Sequence, residues 1–423
     1  MASPPLQLPL IQNWSCHNCS GCCRKHLIEV TEEDRKRIVA QNWSAADGIP
    51  DGRPPLVWYA GPPWKKRYRL AHREDGACIF LNEQGLCRIH AKFGEDAKPV
   101  PCQVYPYALH PGGRKLAVSL RFSCPSVVAN SGRPVSQQVS DLKRIVELTV
   151  PPGANRIPPP RLSPRVRLDW NDFQRFVDAL DATLAEPQTE LVTRLLRALF
   201  WVRLVGQSKF DVLRGNRLND YLQIVTDAAR NEVPAASAPL AEPSRAGRLQ
   251  FRMLAAQYSR VDTFEKAARG LRGRVRLLRA ALRFARGRGN VPPLHPGFRE
   301  VPFERLEVPF GGIPDEADAI LTRYFRVKIQ GLHFCGPAYY WVPFVEGFYS
   351  LALVFPVVLW LSRWLAFSES RNRLATDDVA RTLAIADHHH GYSPVLGTRS
   401  SRRRVRLMTH HDDLERLCRW YAQ

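Results

Sequence analysis

The sequence predicts an α+β protein in which a small cysteine-rich metal-binding domain is followed by a mostly α-helical region. Eight of the ten cysteines lie between residues 16 and 124, among short strand-like runs and many prolines. After residue 165, apolar residues recur at the three- to four-residue spacing of amphipathic helices. We therefore expect a cysteine domain at 1–150, a proline-rich linker at 151–164 and a helical region at 165–423, with a linker-like stretch at 232–247.

Composition restricts the environment and the partners of this chain. Its 423 residues carry a net charge of +21, which favours contact with an anionic partner unless it reflects a general arginine bias. The first 14 residues contain no basic stretch followed by an apolar run, so no secretory signal is expected and we predict a cytoplasmic protein. Thiols stay reduced in the cytoplasm, which favours metal ligation over disulfides.

Short elements are predicted in the cysteine domain and longer helices after it. Thr31 followed by acidic residues predicts a helix that runs to about residue 41. The predicted strands are 27–30, 66–72, 78–81 and 116–122. The predicted helices are 169–185, 189–205, 216–231, 248–288 with a break near 261–263, and 315–386 with breaks near Pro337, Pro343 and Pro356.

One apolar stretch raises the question of a membrane span. Residues 347–362 are uncharged for 16 positions, whereas a spanning helix needs about 20. Glu346, Pro356 and Arg363 interrupt or border this stretch. The pattern favours a buried core helix over a transmembrane span.

The cysteines are the candidate metal ligands. Thiolates bind zinc and iron, and a bound cation removes the repulsion between them. The spacing from Cys16 to Cys19 to Cys22 lets one turn present two sulfurs to one ion, whereas Cys23 is expected to point elsewhere. Three interpretations stay open: an iron–sulfur cluster, zinc or mononuclear iron, and structural free thiols. The full set of candidates is Cys16, Cys19, Cys22, Cys23, Cys78, Cys87, Cys102 and Cys124.

Other residues near these cysteines have two interpretations each. His90 follows Cys87 in a CxxH pair and is either a further ligand or a hydrogen-bonded structural residue. Tyr105 and Tyr107 follow Cys102 closely and either line a pocket or pack in the core. The distant Cys335 and Cys418 are expected to be buried thiols.

The order of these blocks resembles the zinc- or iron-chelating cysteine-cluster (CxxCxxCC) family, which includes flagellin lysine-N-methylase. The resemblance covers about residues 14–126 and implies that the eight cysteines hold a [4Fe–4S] cluster or zinc or iron. For methylase members it implies transfer of a methyl group from S-adenosylmethionine to a lysine side chain of a flagellin-like protein. The chain lacks a CxxxCxxC loop and a glycine-rich strand–helix turn, and family membership alone does not establish an enzyme.

The alternative function is a non-enzymatic, zinc-stapled module that docks on nucleic acid or a membrane surface. Residues 264–288 predict a basic amphipathic helix that offers a face to an anionic partner, or simply a solvated face over a packed stripe. Its arginines on one face are Arg272, Arg276, Arg279, Arg283 and Arg286. A flexible basic loop is predicted at 399–406, where nucleic-acid binding is less favoured, and the histidines at 388–390 are a minor candidate for a metal site.

Overall fold

The computed structural model describes residues 4–50, 52–210, 213–233, 241–260 and 270–423. The described strands are short and form four small sheets. The first sheet has the order β1-β7-β6, with β1 parallel to β7, and the second has the antiparallel order β3-β5-β4. Strands β2 and β8 pair, as do β9 and β10. The strands are β1 Leu6–Gln7, β2 Asn13–Trp14, β3 Glu29–Val30, β4 Leu56–Ala60, β5 Arg67–Leu70, β6 Tyr107–Gly112, β7 Lys115–Leu120, β8 Arg133–Pro134, β9 Asn290–Val291 and β10 Val301–Pro302.

Short helices connect these strands in the N-terminal region. Helix α2 begins as its sequence predicts, because the Thr31 side chain accepts from the Asp34 amide and the Asp34 carboxylate accepts from the Thr31 amide. The helices of this region are α1 Gly21–Lys25, α2 Glu32–Ala40, α3 Arg88–Phe93, α4 Val100–Val104, α5 Pro125–Val128 and α6 Val139–Thr149.

The rest of the described chain is mostly helical, as predicted. Side-chain caps from Asp169 and Ser244 start two of its helices. The helices are α7 Trp170–Leu184, α8 Leu191–Gln207, α9 Asn216–Glu232, α10 Arg245–Tyr258, α11 Gly270–Arg286, α12 Phe303–Leu306, α13 Asp315–Gln330, α14 Phe344–Ala352, α15 Val354–Ser368, α16 Thr376–His389, α17 Arg399–His410 and α18 Asp413–Tyr421. The predicted break at 261–263, residues 264–269 of the predicted basic helix and residues 234–240 of the linker-like stretch lie outside the described residues.

Two hydrophobic cores position the cysteines. The smaller one gathers Ile38, Ile79, Phe80 and Ile89 with their neighbours, and three cysteines pack against it. The larger one runs from Tyr107 to Tyr421, so β6, β7, α5 and α6 share a core with the long helices. The proline-rich stretch 151–164 is part of this packing, since the amides of Phe344 and Val345 donate to its carbonyl groups. The domain boundaries at 150 and 164 stay predictions.

Two predictions of local structure are wrong. Residues 78–81 form no strand, because Ile79 and Phe80 are both buried and the Leu81 amide closes a turn onto Cys78. Residues 399–406 form no loop but lie in α17, whose Ser401, Val405 and Met408 are buried at helical spacing. Arginines between these positions hid that periodicity in the sequence.

The apolar stretch near residue 350 lies in the core. Phe344–Ser368 is long and apolar enough to cross a membrane, but 89% of its most apolar 18-residue segment is buried inside the protein. The core helix of a soluble protein can have the same length and composition, so these two properties are weak evidence for a membrane span. Arg363 is fully buried there and donates to the carbonyl groups of Val308 and Tyr421. Burial lowers the pKa of Arg363 to about 10.

A buried ion pair joins the helices to the N-terminal region. Lys328 on α13 contacts the Asp387 carboxylate on α16 at 2.7 Å, and both side chains are fully buried. Lys328 also donates to the Leu120 carbonyl group at 3.0 Å, and Asp387 accepts from the Ser123 amide at 3.0 Å. The segment that ends at Cys124 is therefore fixed to two helices of the large core.

We expect Lys328→Met to destabilise the protein by about 3–5 kcal/mol, because it leaves the Asp387 carboxylate buried without its cation. Chemical denaturation would measure this loss. Arg381→Met is the matched control, since Arg381 forms a half-exposed pair with Glu369 and its removal should cost under about 1 kcal/mol. Equal effects of the two substitutions would contradict this account of the pair.

Candidate metal centre

The first cysteine segment lies across two later ones. Asn18 and Ser20 take left-handed backbone conformations, which turn the chain sharply before α1. The Ser20 hydroxyl donates to the Gly85 carbonyl group at 3.2 Å, and the Cys78 amide donates to the Cys23 carbonyl group at 2.7 Å. These contacts hold α1 against the turns that carry Cys78 and Cys87.

Local turns place the other cysteines of this neighbourhood. Isolated bridges pair His72 with Cys78 and Leu81 with Cys87, so both cysteines end tight turns. Cys87 is the N-cap residue of α3, and Cys102 lies on α4. All of these segments pack against the smaller core.

Electrostatics indicate that five thiols are neighbours. The pKa of Cys22 is raised by its hydrogen bond with Cys23, at 3.9 Å between the sulfurs, and by burial. Burial and the thiolates of Cys87 and Cys22 raise the pKa of Cys78 to about 12. The pKa of Cys102 is raised well above its ordinary value, first by burial and then by Cys78 and Cys87. We call Cys22, Cys23, Cys78, Cys87 and Cys102 the first thiol group.

The expectation that Cys23 points away from Cys22 is wrong. Their sulfurs lie 3.9 Å apart on the short helix α1, although adjacent helical residues usually point in different directions. Lys98 is the cation beside this group, since it partly counters the rise in the pKa of Cys22 and Cys102.

Cys19 and Cys124 meet at a second place. Burial raises the pKa of Cys124, and the Cys19 thiolate contributes to that rise. A Cβ atom on Gly21 would lie 3.5 Å from the Cys19 sulfur and 3.5 Å from Pro125, so the loop passes close to α5. His17 Nδ1 lies 2.5 Å from the Ser126 hydroxyl, which ties the loop to α5. Cys16 is exposed on the same loop. We call Cys16, Cys19 and Cys124 the second thiol group.

A polar and aromatic wall adjoins both thiol groups. Burial raises the pKa of Tyr105, with the thiolates of Cys124 and Cys22 adding to the rise, so its hydroxyl lies near both groups. The His26 ring is 4.7 Å from the Tyr105 ring and 4.8 Å from the His388 ring on α16. We call Tyr105, His26 and His388 the aromatic wall.

Arg121 completes the surroundings of this wall. Its guanidinium lies 5.6 Å from the centre of the Tyr105 ring and 3.7 Å from that of Tyr392. His26 lies three residues after Cys23 and Arg121 three residues before Cys124, but neither belongs to a ligand-spacing motif, so the sequence analysis did not single them out.

Other histidines and tyrosines near the motifs lie elsewhere. His90 is exposed and contacts Glu95 at 2.8 Å, so the CxxH pair does not converge on the first thiol group. Tyr107 is a core residue whose hydroxyl donates to Gln138. His390 is buried against the Tyr258 hydroxyl at 3.0 Å, and burial lowers its pKa to about 3. Cys335 and Cys418 are buried, as predicted.

The donor set fits a thiophilic metal. Within the described residues, no three His, Cys, Asp or Glu side chains yet converge at ligand distance, so binding requires the thiols to turn inward. Burial is the main cause of the raised pKa values of Cys78 and Cys102, and repulsion between crowded thiolates adds to it; a bound cation would lower both. Thiolate sets of this kind suit zinc, iron and iron–sulfur clusters.

Comparison with known proteins agrees with this chemistry. Residues 15–125 match the CxxCxxCC family, which is described as "Putative zinc- or iron-chelating domain". The match spans 111 of the 423 residues, so the likeness to this family is confined to the N-terminal region. The match contains both thiol groups and supports metal binding, while the helical region lies outside it. No curated protein matches the chain, and no solved structure matches it.

Serine substitutions should separate the two thiol groups. We expect Cys78→Ser and Cys102→Ser each to remove the metal of the first group, because each lost thiolate opens the ligand set. Cys124→Ser should leave that metal in place and affect only the second group. Elemental analysis of the purified variants would measure this, with Cys335→Ala as the control for a buried thiol distant in sequence. Equal metal loss in Cys78→Ser and Cys124→Ser would contradict the division.

Proposed function

We propose that the protein is a metal-dependent enzyme of the lysine N-methylase type, with S-adenosylmethionine as the methyl donor and a [4Fe–4S] cluster in the first thiol group. The observation that carries the proposal is the aromatic wall beside the thiols. A structural zinc site needs only its ligands, yet here Tyr105 lies near thiolates of both groups, the His26 ring packs against it, and His388 from the helical region packs against His26. Such surroundings suit a binding pocket at the centre.

The first thiol group has enough thiols for a cluster, as it has for a tetrahedral zinc ion. Five lie in the first group and three in the second, whereas one tetrahedral ion takes four ligands. Four cysteines are the usual ligands of a [4Fe–4S] cluster. When bound by four of these thiolates, the cluster would carry net negative charge and would attract the sulfonium end of the methyl donor.

The residues of the chain would prepare the methyl transfer. The lone pair of a neutral lysine amine forms the new N–C bond, the methyl C–S bond breaks, and its electron pair stays on sulfur to give S-adenosylhomocysteine. One proton leaves the nitrogen for solvent. The ring of Tyr105 attracts a sulfonium or ammonium cation through its face. Burial beside this ring excludes water, favours the neutral amine and orients the two reactants.

A zinc-stapled module is the second candidate, and one distance favours it. The sulfurs of Cys22 and Cys23 are 3.9 Å apart. A Zn–S bond of about 2.3 Å gives a tetrahedral edge of about 3.8 Å. In this alternative the first thiol group holds zinc, the fold of the domain depends on it, and the protein docks on an anionic partner without chemistry.

Two measurements on anaerobically purified protein test the proposal. Iron and acid-labile sulfide in about equal amounts, near four each per chain, would support the cluster. Zinc without sulfide would favour the stapled module. Isotope-labelled S-adenosylmethionine and purified flagellin should then yield S-adenosylhomocysteine and labelled lysine. Failure of the iron-loaded protein to form this product would reject methyl transfer.

Substitutions at Tyr105 separate the wall from the ligands. We expect Tyr105→Leu to retain its metal but to lower kcat/KM about tenfold, because it removes the ring face that attracts the cation. Tyr105→Phe keeps the ring and should retain most activity, so it is the matched control. If Tyr105→Leu were as active as the wild type, the wall would have no part in catalysis.

A further inference from the structure

Helix α11 has an inner and an outer apolar face. Its inner face packs on α10 and its neighbours, with Gly273, Ala280 and Phe284 buried. The Phe284 ring lies 5.6 Å from the Phe303 ring and 6.2 Å from the Trp360 ring. The helix is therefore anchored to the large core by one side.

The outer face is apolar although it is exposed. Leu271, Val275, Leu278 and Leu282 have 79%, 40%, 61% and 48% of their surfaces exposed. They recur at i, i+4, i+7 and i+11, which aligns them in one stripe. At about 100° per residue, this stripe points about 160–170° away from the buried face. Core packing therefore explains the inner face and leaves the outer stripe unexplained.

Arginines border this stripe. Helix α11 carries no acidic residue, and none of its arginines forms an ion pair with a residue in the described part of the chain. By contrast, Arg402 and Arg406 on α17 both contact the Glu346 carboxylate. The helical spacing puts one arginine on one flank and five on the other: Arg274 on the first, and Arg272, Arg276, Arg279, Arg283 and Arg286 on the second.

We propose that this outer face of α11 binds the surface of an anionic lipid bilayer. Arginines without an ion pair among the described residues complement anionic headgroups, and the apolar stripe between them would enter the boundary of the acyl chains. A phosphate backbone would complement the arginines but not four exposed aliphatic side chains. The helix would lie in the plane of the membrane surface while its inner face stays packed on α10. This surface is independent of the thiol groups and of methyl transfer.

Vesicle co-sedimentation tests the proposal with the full-length protein. We expect binding to vesicles that contain phosphatidylglycerol, weak binding to pure phosphatidylcholine vesicles, and loss of binding as salt increases. Arg279→Gln with Arg283→Gln should lower the partition coefficient about 30-fold. Leu278→Ser with Leu282→Ser should lower it at least about tenfold, because the apolar anchor is lost.

Two exposed substitutions on other helices are the matched controls. Ile224→Ser on α9 and Arg403→Gln on α17 should bind vesicles like the wild type, since both positions are exposed away from the stripe. Circular dichroism would verify that all variants are folded. Equal binding to both vesicle types, or unchanged binding of the leucine variants, would overturn the proposal. A dimer that only the leucine substitutions dissociate would instead show that a second copy covers the stripe.

Discussion

Burial of closely spaced thiols is the constraint on which the N-terminal region depends. The fold brings sulfurs from α1, from two turns and from α4 into one neighbourhood, where the Cys22–Cys23 hydrogen bond, burial and neighbouring thiolates raise the pKa values of Cys22, Cys78 and Cys102. Without a cation this arrangement resists ionisation. A bound metal converts the same crowding into a stabilising ligand set, so metal binding and folding of this small region should be coupled. Its core is small, and a metal would compensate for that.

The metal centre is connected to the helical region by two routes. Lys328 and Asp387 fix the segment that precedes Cys124, and the aromatic wall extends from Tyr105 and His26 to His388. His388 and Asp387 are adjacent on α16, so one helix takes part in both routes. A change of charge at the thiols can therefore reach α16 through direct contacts. These contacts link the helical region to the thiol groups.

Patterns local in sequence predicted the fold class and most helices. Helix α2 follows from the Thr31 cap, and the helical periodicity after residue 165 anticipated α7 to α9 within a few residues. The clustering of the cysteines in the sequence identified them as candidate ligands, and the family match agrees with metal binding. Spacing did not reveal contacts between distant segments, such as the influence of Cys19 on the pKa of Cys124. No local sequence pattern marks Lys328 and Asp387 as an ion pair, because the two residues are far apart in the chain and meet only in the folded structure.

X-ray absorption at the metal edge of anaerobically purified protein tests the central claim most directly. The claim is that the first thiol group forms a metal centre with thiolate ligands and no histidine. The account predicts a first coordination sphere of sulfur alone, near 2.3 Å, with an added iron–iron distance if a cluster is present. Nitrogen or oxygen ligands in that sphere would contradict it. They would show that side chains outside the thiol groups complete the site.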